Sequence, residues 1–167
     1  MLIRPAEYRD HARVHALNLA VFDSPVEANL VDALRELARP IVELVAEDND
    51  EIAGHLLLSP VSLPGRPELS LMGLGPMAVV PARRRNGIGS ALVESGLDCC
   101  RRLGVVAVVV LGHPEYYPRF GFSPASRFGI STQYEVPDEV FMLIELQPYA
   151  LKGITGMAKY HPAFSAV

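Results

Sequence analysis

Apolar residues recur along this chain with two spacings, and the places where the spacing changes mark its elements. A short extended start at Leu2–Arg4 gives way at Pro5 to a helical stretch over Ala6–Phe22, where Val14, Leu17 and Val21 share one face. Ser24-Pro25 reads as a cap followed by a first-turn proline, with Glu27 three residues after the cap. Leu30, Val31, Leu34 and Leu37 continue that helix to Pro40. Ile41–Ala46 and Ile52–Leu63 are strands joined by the acidic turn Glu47-Asp48-Asn49-Asp50, which makes a hairpin. After the turn Pro64-Gly65-Arg66-Pro67, Leu69–Val80 is a third strand of the meander, interrupted by Gly73, Gly75 and Pro76. Proline removes a ladder donor, so this strand is expected to bulge or splay there.

Arg83–Gly87 reads as a loop, and Ile88–Leu103 as an amphipathic helix stopped by Gly104. Val105–Leu111 is apolar and β-branched on both faces, the pattern of a buried parallel strand. Strand, loop, helix and strand over Leu69–Leu111 therefore form a right-handed crossover unit. Pro114–Phe120 is a short helix or turn, Val140–Leu146 a further strand, and Gln147–Val167 has no readable pattern. The expected fold class is α+β, a three-layer arrangement of one mixed sheet and flanking helices, in a single domain over residues 1–167.

Composition narrows the function. The 167 residues are 50% hydrophobic, which suits one packed core rather than a disordered chain. A net charge of −4 gives no broad attraction to nucleic acid or anionic lipid, so neither is an expected partner. The longest dense apolar run, Val105–Leu111, is too short to span a bilayer, and Met1–Pro5 lacks the features of a signal peptide. A cytoplasmic location is expected. Cys99 and Cys100 are adjacent, diverge by about 100° on a helix, and read as reduced packing residues.

The chemistry concentrates in the loop before the third helix, Ile88–Leu103. Arg84, Gly87 and Gly89 give the spacing Arg-x-x-Gly-x-Gly. Glycines let several backbone N–H groups converge, and the helix start adds about half a positive charge. With Arg84 or Arg85 beside it, such a turn suits a diphosphate; a plain helix cap next to a surface basic run is the other reading of the loop alone.

Gly73–Leu92 resembles the cofactor-binding motif of the GNAT acetyltransferase superfamily, in which a bulged strand leads to an (Arg/Gln)-x-x-Gly-x-(Gly/Ala) loop. Gly112–Phe122 resembles that family's later motif, in which a tyrosine precedes a Gly-Phe pair by four residues, the place Tyr117 holds relative to Gly121. Together with Tyr134–Pro137 and Tyr160–Phe164, nearly the whole chain is similar to a bacterial YhbS-like branch of predicted N-acetyltransferases. The resemblance implies a mostly antiparallel central sheet with a splayed parallel strand pair. It implies acetyl-CoA as co-substrate, with main-chain groups of Met77, Ala78 and Val79 on the pantetheine arm. It further implies amides of Arg84, Arg85, Asn86, Gly87, Ile88, Gly89 and Ser90 around the diphosphate, and Tyr117 near the sulfur. The reaction implied is acetyl transfer to a primary amine by direct attack in a ternary complex. A sensor that binds acyl-CoA without turnover is the alternative. The N-terminal helices and Ser123–Glu139 are implied on the acceptor side. Oligomeric state stays open, a homodimer being one option because paired sheets are common in the family.

Amine attack on a thioester expels a thiolate, and a phenol near pKa 10 is protonated at pH 7 and able to supply its proton. The N–H of Val79 is a candidate donor to the thioester carbonyl. A lysine-like amine is neutral only rarely at pH 7, a deficit of about 4.6 kcal/mol, so a base is expected to help. Glu27, Glu47, His55, His113 and Glu135 are candidates, and no motif singles one out. His11 and His15 stand four apart but lack a third ligand, so no metal is expected. Gly73-Leu-Gly-Pro-Met-Ala78 matches a dinucleotide pattern in letters only, since no helix follows it.

Overall fold

The order of the strands explains where a cleft opens. The computed structural model describes residues 1–165. Its strands are β1 (Leu2–Pro5), β2 (Val42–Asp48), β3 (Glu51–Ser62), β4 (Leu71–Val79), β5 (Ala107–Leu111), β6 (Ser123–Pro124), β7 (Ile130–Thr132), β8 (Phe141–Glu145) and β9 (Gly156–Tyr160). Three helices accompany them: α1 (His11–Val21), α2 (Val26–Leu37) and α3 (Ile88–Arg102). The sheet runs β1-β2-β3-β4-β5-β8-β6, antiparallel throughout except for the parallel pair β4–β5. This is the expected mixed, mostly antiparallel α+β fold.

Alternation along β3 builds the layers. Leu56 and Leu58 pack with Leu92, Val93 and Leu97 of α3, whereas Leu57 between them packs with Val14 of α1 and Val31 and Leu34 of α2. All three leucines have no solvent exposure, so β3 is sandwiched between helices on both faces. β5 repeats the pattern: Val108 and Val110 join the α3 side, Ala107 and Val109 the opposite cluster. That double burial is why this segment reads as an unbroken apolar run.

The parallel pair is short. Leu71–Leu74 pair with Ala107–Val110, and beyond Leu74 the two strands separate. Against β3 the register of β4 slips between Leu74 and Met77, where Gly75 and Pro76 form a bulge. The interruption expected from Gly75-Pro76 thus lies at the point where β4 leaves β5.

Several boundaries differ from the sequence reading. Pro5 closes β1 instead of opening a helix, and α1 begins only at His11, after a 3₁₀ turn at Tyr8–Asp10. The cause is Asp10, whose carboxylate accepts the Glu7 N–H at 2.7 Å and a two-pronged Arg4 guanidinium at 2.7 and 2.9 Å. Ser24 Oγ accepts the Val26 N–H at 3.3 Å, but Glu27 does not complete a capping box. In the segment Gln147–Val167, which carried no pattern, β9 pairs with β3 through Val61–Tyr160 and in parallel with β7. Residues 166 and 167 lie outside the described residues.

Candidate active site

Where β4 and β5 diverge, the chain leaves two joined hollows of 790 and 480 Å³. They share Phe22, Met77, His113 and Tyr117 as a common wall. The larger hollow lies over the glycine loop and the start of α3, and the smaller one lies over the bulge at Gly75-Pro76 and the ends of α1 and α2.

The larger hollow is built from three segments. Met77 and Val79 come from the end of β4, Arg84, Arg85, Gly87, Ile88, Gly89 and Ser90 from the loop and first turn of α3, and Tyr116, Tyr117 and Arg119 from the turn after β5. Ala78 and Asn86 do not line it. Strand alternation accounts for Ala78. The Val80 N–H donates to Ala53 of β3 at 2.9 Å, so Ala78 also directs its N–H and C=O to β3 while those of Met77 and Val79 point the other way. Beyond Leu74 no strand pairs with that side of β4 among the described residues, so those two main chains face the gap.

The first turn of α3 offers donors. Its first helical bond runs from the Ala91 N–H to Gly87 C=O at 3.0 Å, which leaves the N–H groups of Ile88, Gly89 and Ser90 without helical partners. Gly87 caps this helix at φ +79°, a left-handed conformation that favours glycine. The three arginines before it divide their work. Arg83 is ion-paired to Asp48 at the end of β2, which ties the loop to the sheet, whereas Arg84 and Arg85 are exposed and have no ion-pair partner among the described residues. Open amides, a helix start and two free guanidinium groups suit an anion of diphosphate size.

Tyr117 sits where the hollows meet. Its ring is 8% exposed and meets Phe122 and Tyr116 edge-on at 5.6 and 5.1 Å. Behind it is Gly112, where an added Cβ would lie 2.3 Å from the Tyr117 ring, so only glycine lets the ring sit there. Burial, with a smaller contribution from Tyr116, pushes the Tyr117 phenol up to about 12. It therefore keeps its proton well past neutrality.

Tyr116, read from sequence as packing, also has a polar role: its hydroxyl lies 3.3 Å from Ser90 Oγ, and Arg119 stacks over its ring at 4.4 Å. The i, i+3 spacing of Tyr116 and Arg119 was the available signal for this pair. Val21 and Phe22 also line the larger hollow from the end of α1, and nothing local in the sequence marks them.

The five candidate bases separate. Glu47 accepts Arg4 Nε at 2.7 Å. His55, with no exposure, lies 2.9 Å from Glu43, whose carboxylate also accepts two Arg35 bonds at 2.7 and 3.0 Å. Glu135 is exposed and lines neither hollow. Only His113 and Glu27 border the cleft, His113 on the shared wall and Glu27 in the smaller hollow. His15 is engaged at 2.8 Å by Asp32. Cys100 is buried, with its thiol pushed up to about 12 by burial, which leaves it inert.

A sheet split between two parallel strands, with an amide-rich turn on one side of the split, defines a class of acyl-CoA-dependent transferases, and the family comparison agrees. Residues 2–125 match the acetyltransferase (GNAT) domain, and the chain belongs to this family of acetyltransferases. It is 36% identical over 166 residues to the uncharacterized N-acetyltransferase YhbS of Escherichia coli K12, covering 99% of each chain. The crystal structure of E. coli YhbS in complex with CoA superposes with a TM-score of 0.92 at 35% identity, over 98% of this chain and 91% of that one. A GNAT family acetyltransferase of Brucella melitensis in complex with acetyl-CoA gives 0.81 at 33% identity, over 98% and 97%. The protein is thus a GNAT N-acetyltransferase.

Proposed function

We propose that this enzyme moves an acetyl group from acetyl-CoA to a primary amine by direct attack, with both substrates bound together. The observation that carries this reading is the shared wall at Tyr117, between an anion-suited hollow and a separate second hollow. Two substrates entering from opposite sides would meet there without a covalent enzyme intermediate. Cys100 is buried and Cys99 lines neither hollow.

The open amides from Gly87 to Ser90, with Arg84 and Arg85, hold the diphosphate, and the cleft-facing main chain of Met77 and Val79 receives the pantetheine amides. Val79 N–H, which like that of Met77 faces the gap, is the donor assigned to stabilise the oxyanion as the nitrogen adds. The C–N bond forms and the C–S bond breaks. Tyr117, whose phenol still carries its proton at neutral pH, donates to the leaving sulfur, and the proton it gives up as the thiol forms is replaced by the second one the amine loses. An ammonium acceptor gives up two protons overall, one before attack and one after, so the balanced reaction releases one proton along with amide and free thiol.

Steady-state kinetics with a reactive amine test this. The expected result is CoA thiol released one for one with acetylated amine and intersecting initial-velocity lines. Parallel lines, or thiol release that ignores the amine, would contradict direct attack.

A further inference from the structure

The smaller hollow carries information about the acceptor. We infer that the acceptor is a small monoamine with an apolar body, its ammonium held by Glu27; this rests on acetyl transfer at Tyr117 being the reaction.

The walls are aromatic and aliphatic, with Phe22, Phe164, Leu30 and Leu74 among them and Tyr134 and Tyr160 packed together at 5.8 Å. Among the described residues no lysine or arginine lines the hollow, and apart from its tyrosines the ionisable groups are Glu27 and His113. An acceptor with its own carboxylate or phosphate would find no fixed countercharge there. A polycation would find one carboxylate for its several charges, and its remaining ammonium groups would have to lose water against apolar walls.

Glu27 itself points to a missing donor. Its Oε2 is buried without a hydrogen-bond partner. Glu27 as a residue is half-buried, whereas the more buried carboxylates Asp10 and Glu43 are each satisfied by an arginine. A carboxylate oxygen starved of donors is costly, and a bound ammonium removes that cost. The terminal torsion of a glutamate is soft, so this oxygen can turn into the hollow. Tyr160 Oη, on the same lining, is likewise buried and unpartnered. An unpartnered carboxylate oxygen and a phenol oxygen with a free lone pair, among aromatic faces, are surroundings that an ammonium group favours. The apolar remainder of the cavity, 480 Å³ in all, takes an uncharged hydrocarbon or aryl body.

The test uses the full chain and two readouts. In the first, CoA thiol release is followed with phenethylamine, hexylamine, kanamycin, phenylalanine and an alanine-initiated peptide as acceptors. kcat/KM for the first two is expected to exceed that for the others by at least about tenfold. In the second, calorimetry measures phenethylamine binding to the CoA-loaded protein. Glu27→Gln is expected to weaken that binding and raise the amine KM by at least about tenfold, with the acetyl-CoA KM within about twofold. Faster turnover of kanamycin, phenylalanine or the peptide overturns the inference, as does unchanged phenethylamine binding by the variant. Glu27-dependent phenethylamine binding with no thiol release from any amine supports the amine site and sinks acetyl transfer instead.

Discussion

Tyr117 is held in place by what surrounds it rather than by a hydrogen-bonded partner. Gly112 leaves room for its ring, Phe122 and Tyr116 brace it, and the resulting burial keeps its proton on to about pH 12. A phenol whose pKa is raised in the folded protein remains a donor through the whole neutral and mildly alkaline range. Tyr117→Phe is therefore expected to lower kcat by about a hundredfold while acetyl-CoA affinity stays nearly unchanged. The ratio of wild-type to variant kcat should be constant from about pH 6 to 9, because no titration of Tyr117 falls in that interval. A ratio that collapses as pH rises toward 9, or a loss confined to acetyl-CoA binding, would remove Tyr117 from the proton transfer. Its sequence signal was the Gly121-Phe122 pair four residues on. Glu27 had no such signal, because a glutamate three residues after a serine reads as a cap; its position over the second hollow comes from how α2 packs against α1 and the 3₁₀ turn Pro162–Ser165.

Elements whose pattern is local were readable, and those fixed by distant pairing were not. β4 declared its splay through Gly75 and Pro76, residues that cannot continue a regular ladder. β5 and α3 declared themselves through an apolar run and a helical stripe. β9 is five residues long and becomes a strand only because β3 and β7 lie beside it, so its Tyr160 and the nearby Phe164 could not be assigned to the cleft. Charge ties between elements also escape sequence reading. Burial alone would push Glu43 up, but bonds from His55 on β3 and Arg35 on α2 outweigh it and hold its carboxyl at about 2. The Arg4 guanidinium likewise holds Asp10 at about 2 against its burial. Both pKa values are depressed by folding, so the stabilisation is complete above the ordinary 4.5 and 3.8 and is lost as pH falls toward about 2. Thermal unfolding is expected to show a midpoint that drops through this acid range. Glu43→Gln should cost about 3 kcal/mol at pH 7 and flatten the acid dependence. A variant as stable as the parent, with the same acid slope, would mean the α2–β2–β3 tie contributes nothing.

Over the whole molecule, function follows from one split in the sheet. The chain carries a net charge of −4, yet two arginines without an ion-pair partner among the described residues, Arg84 and Arg85, stand before the start of α3, which opens into the split. Across the shared wall at Tyr117 the lining changes from basic to aromatic with a single carboxylate, so the two hollows differ in the charge they favour. Among the described residues no helix is long and apolar enough to cross a membrane. The claim on which all of this depends is that the amides at the start of α3 grip the diphosphate, and amide chemical shifts during a CoA titration address it directly. The largest changes are expected at Gly87, Ile88, Gly89 and Ser90, should persist with 3′-dephospho-CoA, and should vanish in Gly87→Val, whose side chain strains the left-handed cap. Shifts centred elsewhere, or full-strength binding by Gly87→Val, would contradict the account.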